Sequence, residues 1–349
     1  MSRWQEGRKI VTVSQSKASA LTQDVMMLVW GYRFTQAISV MASLGIADTL
    51  RSGPLPVDEI ARRCDADPSA LRRLLRALTT IELVHEHADG RFGVMPKGDL
   101  LRRDHPDSLH DLALFVSDPS LWSAWGAMEG AVRTGTCAFD LAHGESLFDF
   151  MHHEPAMLDR FQAGMGAFVH TELPAILNAY DFGASTLIVD VAGGFGALLQ
   201  GILNRHPHAS GILFDLPYVV SEARAIRGTP EEARCTFMAG DMFERVPEGG
   251  DTYLLKLILH DWGDADCIRI LRNCRTAMAP GGRVLIIDRV ILPSNIPDIA
   301  KWSDLGMLAF TGGQERTQEE FAALYAEAGF ALTGVYPAGG PSILEGRPI

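Results

Sequence analysis

From residue 186 to the end, short apolar runs of β character alternate with helical stretches, and no other feature limits the fold so tightly. The runs lie at 186–191, 211–214, 236–239, 252–258 and 283–287. Such alternation predicts a doubly wound α/β sheet, because parallel strands need crossover helices and bury both faces against them. In a sheet of that kind, ligands bind at the carboxyl ends of the strands. The residues at those ends are the ones to read for chemistry.

The first run carries Asp190 and passes through Ala192 into Gly193, Gly194, Phe195 and Gly196. Glycines there let the backbone approach a ligand, and the following helix offers free amide donors. Asp215 follows Gly196 by 19 residues and ends the second strand, where a carboxylate accepts from both ribose hydroxyls. Together they point to a nucleoside-containing cofactor. A nicotinamide dinucleotide competes, but its fingerprint asks for a small residue where Leu199 stands. It also has no need of an acid inside the first strand. Asp190 suits a cofactor with a free α-amino group, which tips the reading to S-adenosylmethionine. After the third strand, Asp241 is placed to accept from an adenine amino group while Met242 and Phe243 pack against the ring. A plain β-turn explains Gly240 and Asp241 as cheaply.

The fourth run leads to His260, which puts this histidine at the same carboxyl edge as Asp288, the end of the next strand. A carboxylate beside a histidine orients the ring and raises its basicity. A lone histidine is usually structural; one on the ligand edge with an acid on the neighbouring strand is a candidate general base. Glu315 lies just before a helix opened by a capping box, Thr317 with Glu320. Spacing alone does not bring it to His260.

The N-terminal half reads differently. Residues 1 to about 18 are polar and expected to be flexible. Residues 24–44 are helical in character but apolar on several faces, through Val25, Met26, Met27, Leu28, Val29, Trp30, Phe34, Ile38 and Met41. Such a helix needs more than one partner: its own core, or, as a small region with little core suggests, a second copy of the chain. A short helix at 57–63, a second opened by Asp67-Pro68 and carrying Leu71, Leu74, Leu75 and Leu78, and a hairpin turned at Asp89-Gly90 make a winged-helix pattern. Arg72, Arg73 and Arg76 would serve DNA binding, but a net charge of −12 repels phosphate backbones and favours a solvated face.

Residues 109–179 read as helical. Trp122, Phe161, Met165 and Phe168, with Met307 and Phe310 further on, are candidates to line a pocket for an aromatic or polycyclic acceptor, and equally for core. The expected division is an N-terminal domain at 1–105, a helical linker and pocket segment at 106–180, and a cofactor-binding domain at 181–349. Five scattered cysteines form no CxxC pair, which argues against disulfides and zinc. No metal is expected. Without an apolar leader or spanning stretch, a cytoplasmic protein with no membrane or nucleic-acid partner is expected.

Together these motifs resemble the caffeic-acid-type O-methyltransferases, including bacterial members that tailor aromatic natural products. The resemblance covers nearly the whole chain, with five motifs in order. It implies a seven-stranded Rossmann-like methyltransferase sheet, its last strand antiparallel, with the final strands near 330–336 and 342–346. It also implies an N-terminal winged-helix-like dimerisation domain and a homodimer. By position, the family's cofactor-binding residues map onto Gly193, Gly194, Asp215, Leu216, Asp241, Met242 and Lys256, with Trp262 near the adenine. The general base maps onto His260 and its flanking acids onto Asp288 and Glu315. The implied reaction moves a methyl group from S-adenosylmethionine to a hydroxyl in secondary metabolism, leaving S-adenosylhomocysteine. Two departures stand out. Ala192 replaces a glycine, and Asp288 replaces a longer glutamate, which implies a looser hold on His260. Some relatives methylate nitrogen, and others have exchanged methyl transfer for hydroxylation, decarboxylation or pericyclic chemistry. A winged-helix regulator that senses a ligand is the remaining alternative.

Overall fold

The computed structural model describes residues 17–349, with side chains from residue 20 onward. The polar stretch expected to be flexible lies almost wholly outside these residues. The described chain forms two compact units divided between Asp99 and Leu100, and the helical stretch at 106–180 belongs to the same unit as the large sheet.

In the first unit, the apolar stretch at 24–44 is two helices, Lys17–Val29 and Gly31–Ser43, rather than one. The chain breaks at Trp30, whose ψ of 2° leaves the helical range, directly before Gly31, a poor helix former. Val25, Met27, Leu28 and Val29 stay exposed, Leu28 by 80%. The winged-helix pattern follows, with helices Val57–Cys64 and Pro68–Thr79. The Asp67 side chain accepts from the Ala70 amide at the second helix's start, and Leu71, Leu75 and Leu78 are buried along one face. Strands β1 (Leu55–Pro56), β2 (Val84–Glu86) and β3 (Arg91–Val94) form a small sheet in the order β1-β3-β2. Arg72 faces Glu86 at 3.6 Å.

In the second unit, β4 (Leu187–Val191), β5 (Ser210–Asp215), β6 (Cys235–Ala239), β7 (Thr252–Lys256), β8 (Arg283–Asp288), β9 (Phe330–Pro337) and β10 (Ser342–Pro348) make one sheet. Their order is β6-β5-β4-β7-β8-β10-β9. The ladders from β6 to β8 are parallel, and β10 runs antiparallel to both of its neighbours. Alternate residues feed the two faces. Leu255, Val284 and Ile286 pack with Cys267, Leu271 and Phe321 on one side, and Leu254, Leu285 and Ile287 with Leu199 and Ile202 on the other. Burial on both faces is why these strands read as continuous apolar runs. The strand order reverses between β4 and β7, which opens a crevice at their carboxyl ends.

The fourth parallel strand stops at Lys256, two residues short of the expected end. Leu257 still donates its amide to Ile287 O, then takes a φ of 54°, and the chain enters a tight turn at Leu259–Asp261. His260 therefore sits on a turn beyond the strand. Ala192, after β4, has the same left-handed backbone with φ 53°. A glycine would hold either conformation without the cost of a Cβ, about 1–2 kcal/mol. The structure thus accounts for the glycine more usual at position 192.

Candidate active site

The glycine turn after β4 is closed by close approach. A Cβ at Gly193 would lie 2.6 Å from Leu213 and 2.7 Å from Asp190, and one at Gly194 would meet Gln162 Oε1 at 2.9 Å. Gln162 stands on the long helix Pro155–Ala179. Asp215 accepts from Gly194 N at 2.8 Å and from Leu216 N at 2.7 Å. Burial nonetheless lifts its carboxyl to about 6, outweighing those two donors. Asp190 is buried and its Oδ2 has no hydrogen-bond partner. Burial, then the charge of Asp215, raises it to about 7 against the opposing pull of Lys256. Asp190, buried with one oxygen lacking a donor, and the half-buried Asp215, both beside a glycine turn, fit a ligand that brings an ammonium group and ribose hydroxyls.

On the far side of the crevice, Asp241 accepts from Phe243 N at 2.8 Å. Asn273 donates to the carbonyls of Met242 at 2.8 Å and Phe243 at 3.0 Å, fixing the loop that carries them. Trp262 meets Phe243 edge to face at 4.7 Å and stacks on Phe148 at 5.5 Å. Met242, Phe243 and Trp262 thus form one apolar wall over the sheet edge. Lys256 lies 2.8 Å from Glu172 Oε2, and the other oxygen of Glu172 is 3.6 Å from Arg289. Leu216 is 38% exposed.

His260 is buried with its Nδ1 3.2 Å from Asp288 Oδ1 and 3.1 Å from Glu315 Oε1. The structure therefore joins all three residues. The shorter Asp288 lies at nearly the same distance as the glutamate, but only Glu315 forms a hydrogen bond to the ring, whereas Asp288 acts on it as a charge. Nε2 faces Asp261 Oδ1 at 3.7 Å. Burial works against a charge on His260, but the fields of Asp288, Asp261 and Glu315 win and hold the ring up to about 10. Burial likewise raises Asp288 and Asp261 to about 6, more than the pull of His260 lowers them.

Several of these roles escaped sequence reasoning. Arg316, 1% exposed, donates to the carbonyls of Leu259 at 2.9 Å and Trp262 at 2.8 Å, and pairs with Asp264 at 2.8 Å. It clamps both ends of the turn that carries His260. Gly313 is required beneath it, since a Cβ there would lie 2.0 Å from His260 O. Ser303 donates to Glu315 Oε1 at 2.6 Å, and Asp304 accepts from Glu315 N at 2.9 Å. Arg316 had a signal: an arginine inside an otherwise glycine-rich, structured stretch must satisfy five donors. Asp261, Asn273, Glu172 and Ser303 had none, because only the partner across space marks them.

Of the expected pocket residues, Phe161, Met165 and Phe310 pack on the apolar cluster of Phe115, Leu121, Phe139 and Leu147. Phe161 also reaches Phe148, the residue stacked on Trp262, at 6.4 Å. Phe168 faces the Arg289 guanidinium at 5.8 Å. Trp122 and Met307 are half-buried.

Comparison with known proteins agrees with this architecture. A family model described as an O-methyltransferase domain matches residues 125–331, and an O-methyltransferase dimerisation domain matches residues 26–102. The chain is 38% identical to phenazine O-methyltransferase PhzM of Lysobacter antibioticus, across 96% of this chain and 99% of that protein. It is 38% identical to the 8-amino-8-demethylriboflavin N,N-dimethyltransferase of Streptomyces davaonensis, across 86% and 87%. Among solved structures, LaPhzM superposes with a TM-score of 0.91 at 39% identity, covering 94% of this chain and 99% of that one. NcsB1 from neocarzinostatin biosynthesis, solved with S-adenosylmethionine and 2-hydroxy-5-methyl naphthoic acid, superposes with a TM-score of 0.77 at 31% identity, covering 90% and 96%.

Proposed function

The chain belongs to the S-adenosylmethionine-dependent O-methyltransferase family, and on that premise we propose that it methylates a hydroxyl of an aromatic or polycyclic secondary metabolite, with His260 as general base. The observation that carries the proposal is the buried imidazole whose Nδ1 is held by Asp288 and Glu315, leaving Nε2 outside that pairing, 3.7 Å from Asp261 Oδ1.

When bound, the cofactor supplies an electrophilic methyl group on a sulfonium. Asp190 takes its ammonium group, Asp215 its ribose hydroxyls, and Asp241 with Met242, Phe243 and Trp262 its adenine. Gly193 and Gly194 let the backbone close on it, Leu216 borders it, and Lys256 stands at the strand end beside it. His260 removes the acceptor proton while Asp288 and Glu315 keep the ring oriented. Trp122, Phe161, Met165, Phe168, Met307 and Phe310 line the acceptor side, and Phe148 ties that lining to Trp262.

We assign dimerisation to the N-terminal unit, where Val25, Met27, Leu28 and Val29 present an exposed apolar face that a second copy would cover. The division at 105 and 180 is retained as a functional one: partner contacts, acceptor lining, chemistry. Among the described residues no helix is long and apolar enough to cross a membrane. All five cysteines are free, which favours work in the reducing cytoplasm.

The test is incubation with methyl-labelled cofactor and a panel of phenolic acceptors. Label should appear in a phenol. Label only in aromatic amines would favour nitrogen methylation, the second reading, which the similarity to an N,N-dimethyltransferase keeps open. Cofactor binding with no transfer to either panel would overturn both.

A further inference from the structure

Three carboxylates face one buried imidazole. Asp288 and Glu315 stand at Nδ1, and Asp261 stands at Nε2. The other polar groups packed against this cluster add no free cation among the described residues. Ser303 donates to Glu315, and Asp304 brings a further carboxylate against the Glu315 amide. Thr311 hydrogen-bonds Asp261. The guanidinium of Arg316 is committed to the carbonyls of Leu259 and Trp262 and to Asp264. Arg289 reaches Asp288 through its backbone amide, while its guanidinium faces Glu172. The imidazolium form of His260 is therefore the cation that these acids surround, and they hold its second proton up to about 10.

A general base, however, must offer a lone pair at Nε2. In-line transfer places the acceptor oxygen between that nitrogen and the methyl group, so the sulfonium comes within roughly 7 Å of Nε2. At that range, in a buried setting, two like charges disfavour each other strongly. We infer that His260 is an imidazolium in the cofactor-free enzyme and gives up its Nε2 proton to solvent when the sulfonium cofactor binds. The Nε2–H bond breaks, its electron pair stays on nitrogen, and the proton passes to buffer. The Nδ1–H bond remains directed at Asp288 and Glu315.

One cation thus exchanges for another, and the acids keep a single positive partner at each stage. After transfer the sulfur is neutral, and the proton taken from the acceptor hydroxyl restores the imidazolium. The proton of each turnover leaves during the next loading of cofactor, so that cofactor loading, not bulk pH, readies the base. The inference rests on the proposed role of His260.

Isothermal titration at pH 8, in two buffers of different ionisation enthalpy and without acceptor, counts the protons. At that pH Asp261 and Asp288, near 6, are already ionised. S-Adenosylmethionine should release about one proton more per site than S-adenosylhomocysteine, whose sulfur carries no charge. In His260→Gln the difference should vanish. Equal release by the two ligands overturns the inference and leaves the methyltransferase reading standing; no binding of either ligand overturns both. Should the variant fail to fold, ring-nitrogen NMR of the wild-type enzyme decides. Nε2 of His260 must lose its proton with S-adenosylmethionine and keep it with S-adenosylhomocysteine, and an unchanged signal refutes the idea.

Discussion

Glu172 and Lys256 form an ion pair at 2.8 Å with side chains only 12% and 5% exposed, which joins the helix Pro155–Ala179 to the carboxyl end of β7. They pair as charges rather than through a well-aligned hydrogen bond. Removing one partner strands the other in a poorly solvated place. Glu172→Ala should cost about 3–5 kcal/mol in urea unfolding, and the double variant with Lys256→Met should recover much of that loss. Unaltered stability in Glu172→Ala would mean that the pair contributes nothing.

His260→Ala should lower turnover by roughly two orders of magnitude or more while leaving the affinity for S-adenosylhomocysteine, whose sulfur is neutral, nearly intact. Equilibrium binding and single-turnover rates separate the two effects. A variant that turns over at the wild-type rate removes His260 from the chemistry.

Asp288 and Glu315 share one ring nitrogen at nearly equal distance, so each can partly stand in for the other. Asp288→Asn and Glu315→Gln should each lower turnover only about threefold, with the pair approaching His260→Ala. Each should also lower the pH at which His260 loses its second proton, since the field holding it weakens. Strict additivity of the two losses would speak against a shared hold.

Asp190 titrates at about 7 in the folded protein against an ordinary 3.8. The folded state binds a proton that the unfolded chain has released, so this stabilising contribution is complete below about pH 4 and lost as pH rises through 7. Cofactor-free Asp190→Asn should melt a few degrees above wild type at pH 8, with the gain shrinking at pH 5. It should also bind cofactor more weakly. Scanning fluorimetry at both pH values, with and without S-adenosylmethionine, reads all of this. A melting temperature unchanged at pH 8 would contradict the burial argument.

Leu28, 80% exposed on the helix Lys17–Val29, and Val29 beside it are the residues to charge. Leu28→Glu with Val29→Lys should convert a dimer to a monomer in light scattering while leaving the fold intact by circular dichroism. Persistence of the dimer would place the interface elsewhere.

The positions of β4, β5, β7 and β8 were legible to within a residue or two, because strands buried on both faces leave continuous apolar runs, whereas β9 and β10 were implied by the resemblance alone. The end of β7 was not legible. Leu257, Ile258 and Leu259 are as apolar as the strand itself, and only the left-handed φ of Leu257 takes the chain out of the sheet. The break at Trp30 was hidden in the same way, inside a stretch apolar throughout. His260 and Asp288 were readable from the strand edge, but the approach of Glu315 depends on Gly313 and Arg316 folding the loop onto the histidine turn. Asp261 and Glu172 acquire their meaning from partners that no local spacing marks.

The clamp of Arg316 on both flanks of the histidine turn has an evolutionary corollary. The proton-handling set is tied to the sheet, its adjoining loops and, through Ser303 and Asp304, the helix Ile299–Phe310, whereas much of the proposed aromatic lining comes from the helices Leu147–His153 and Pro155–Ala179. Drift in those helices can retarget the enzyme to a new ring system while the reaction is inherited unchanged. A lineage built this way diversifies its products by recombining acceptor preference with a conserved step. Libraries confined to those two helices are where new acceptors should be sought.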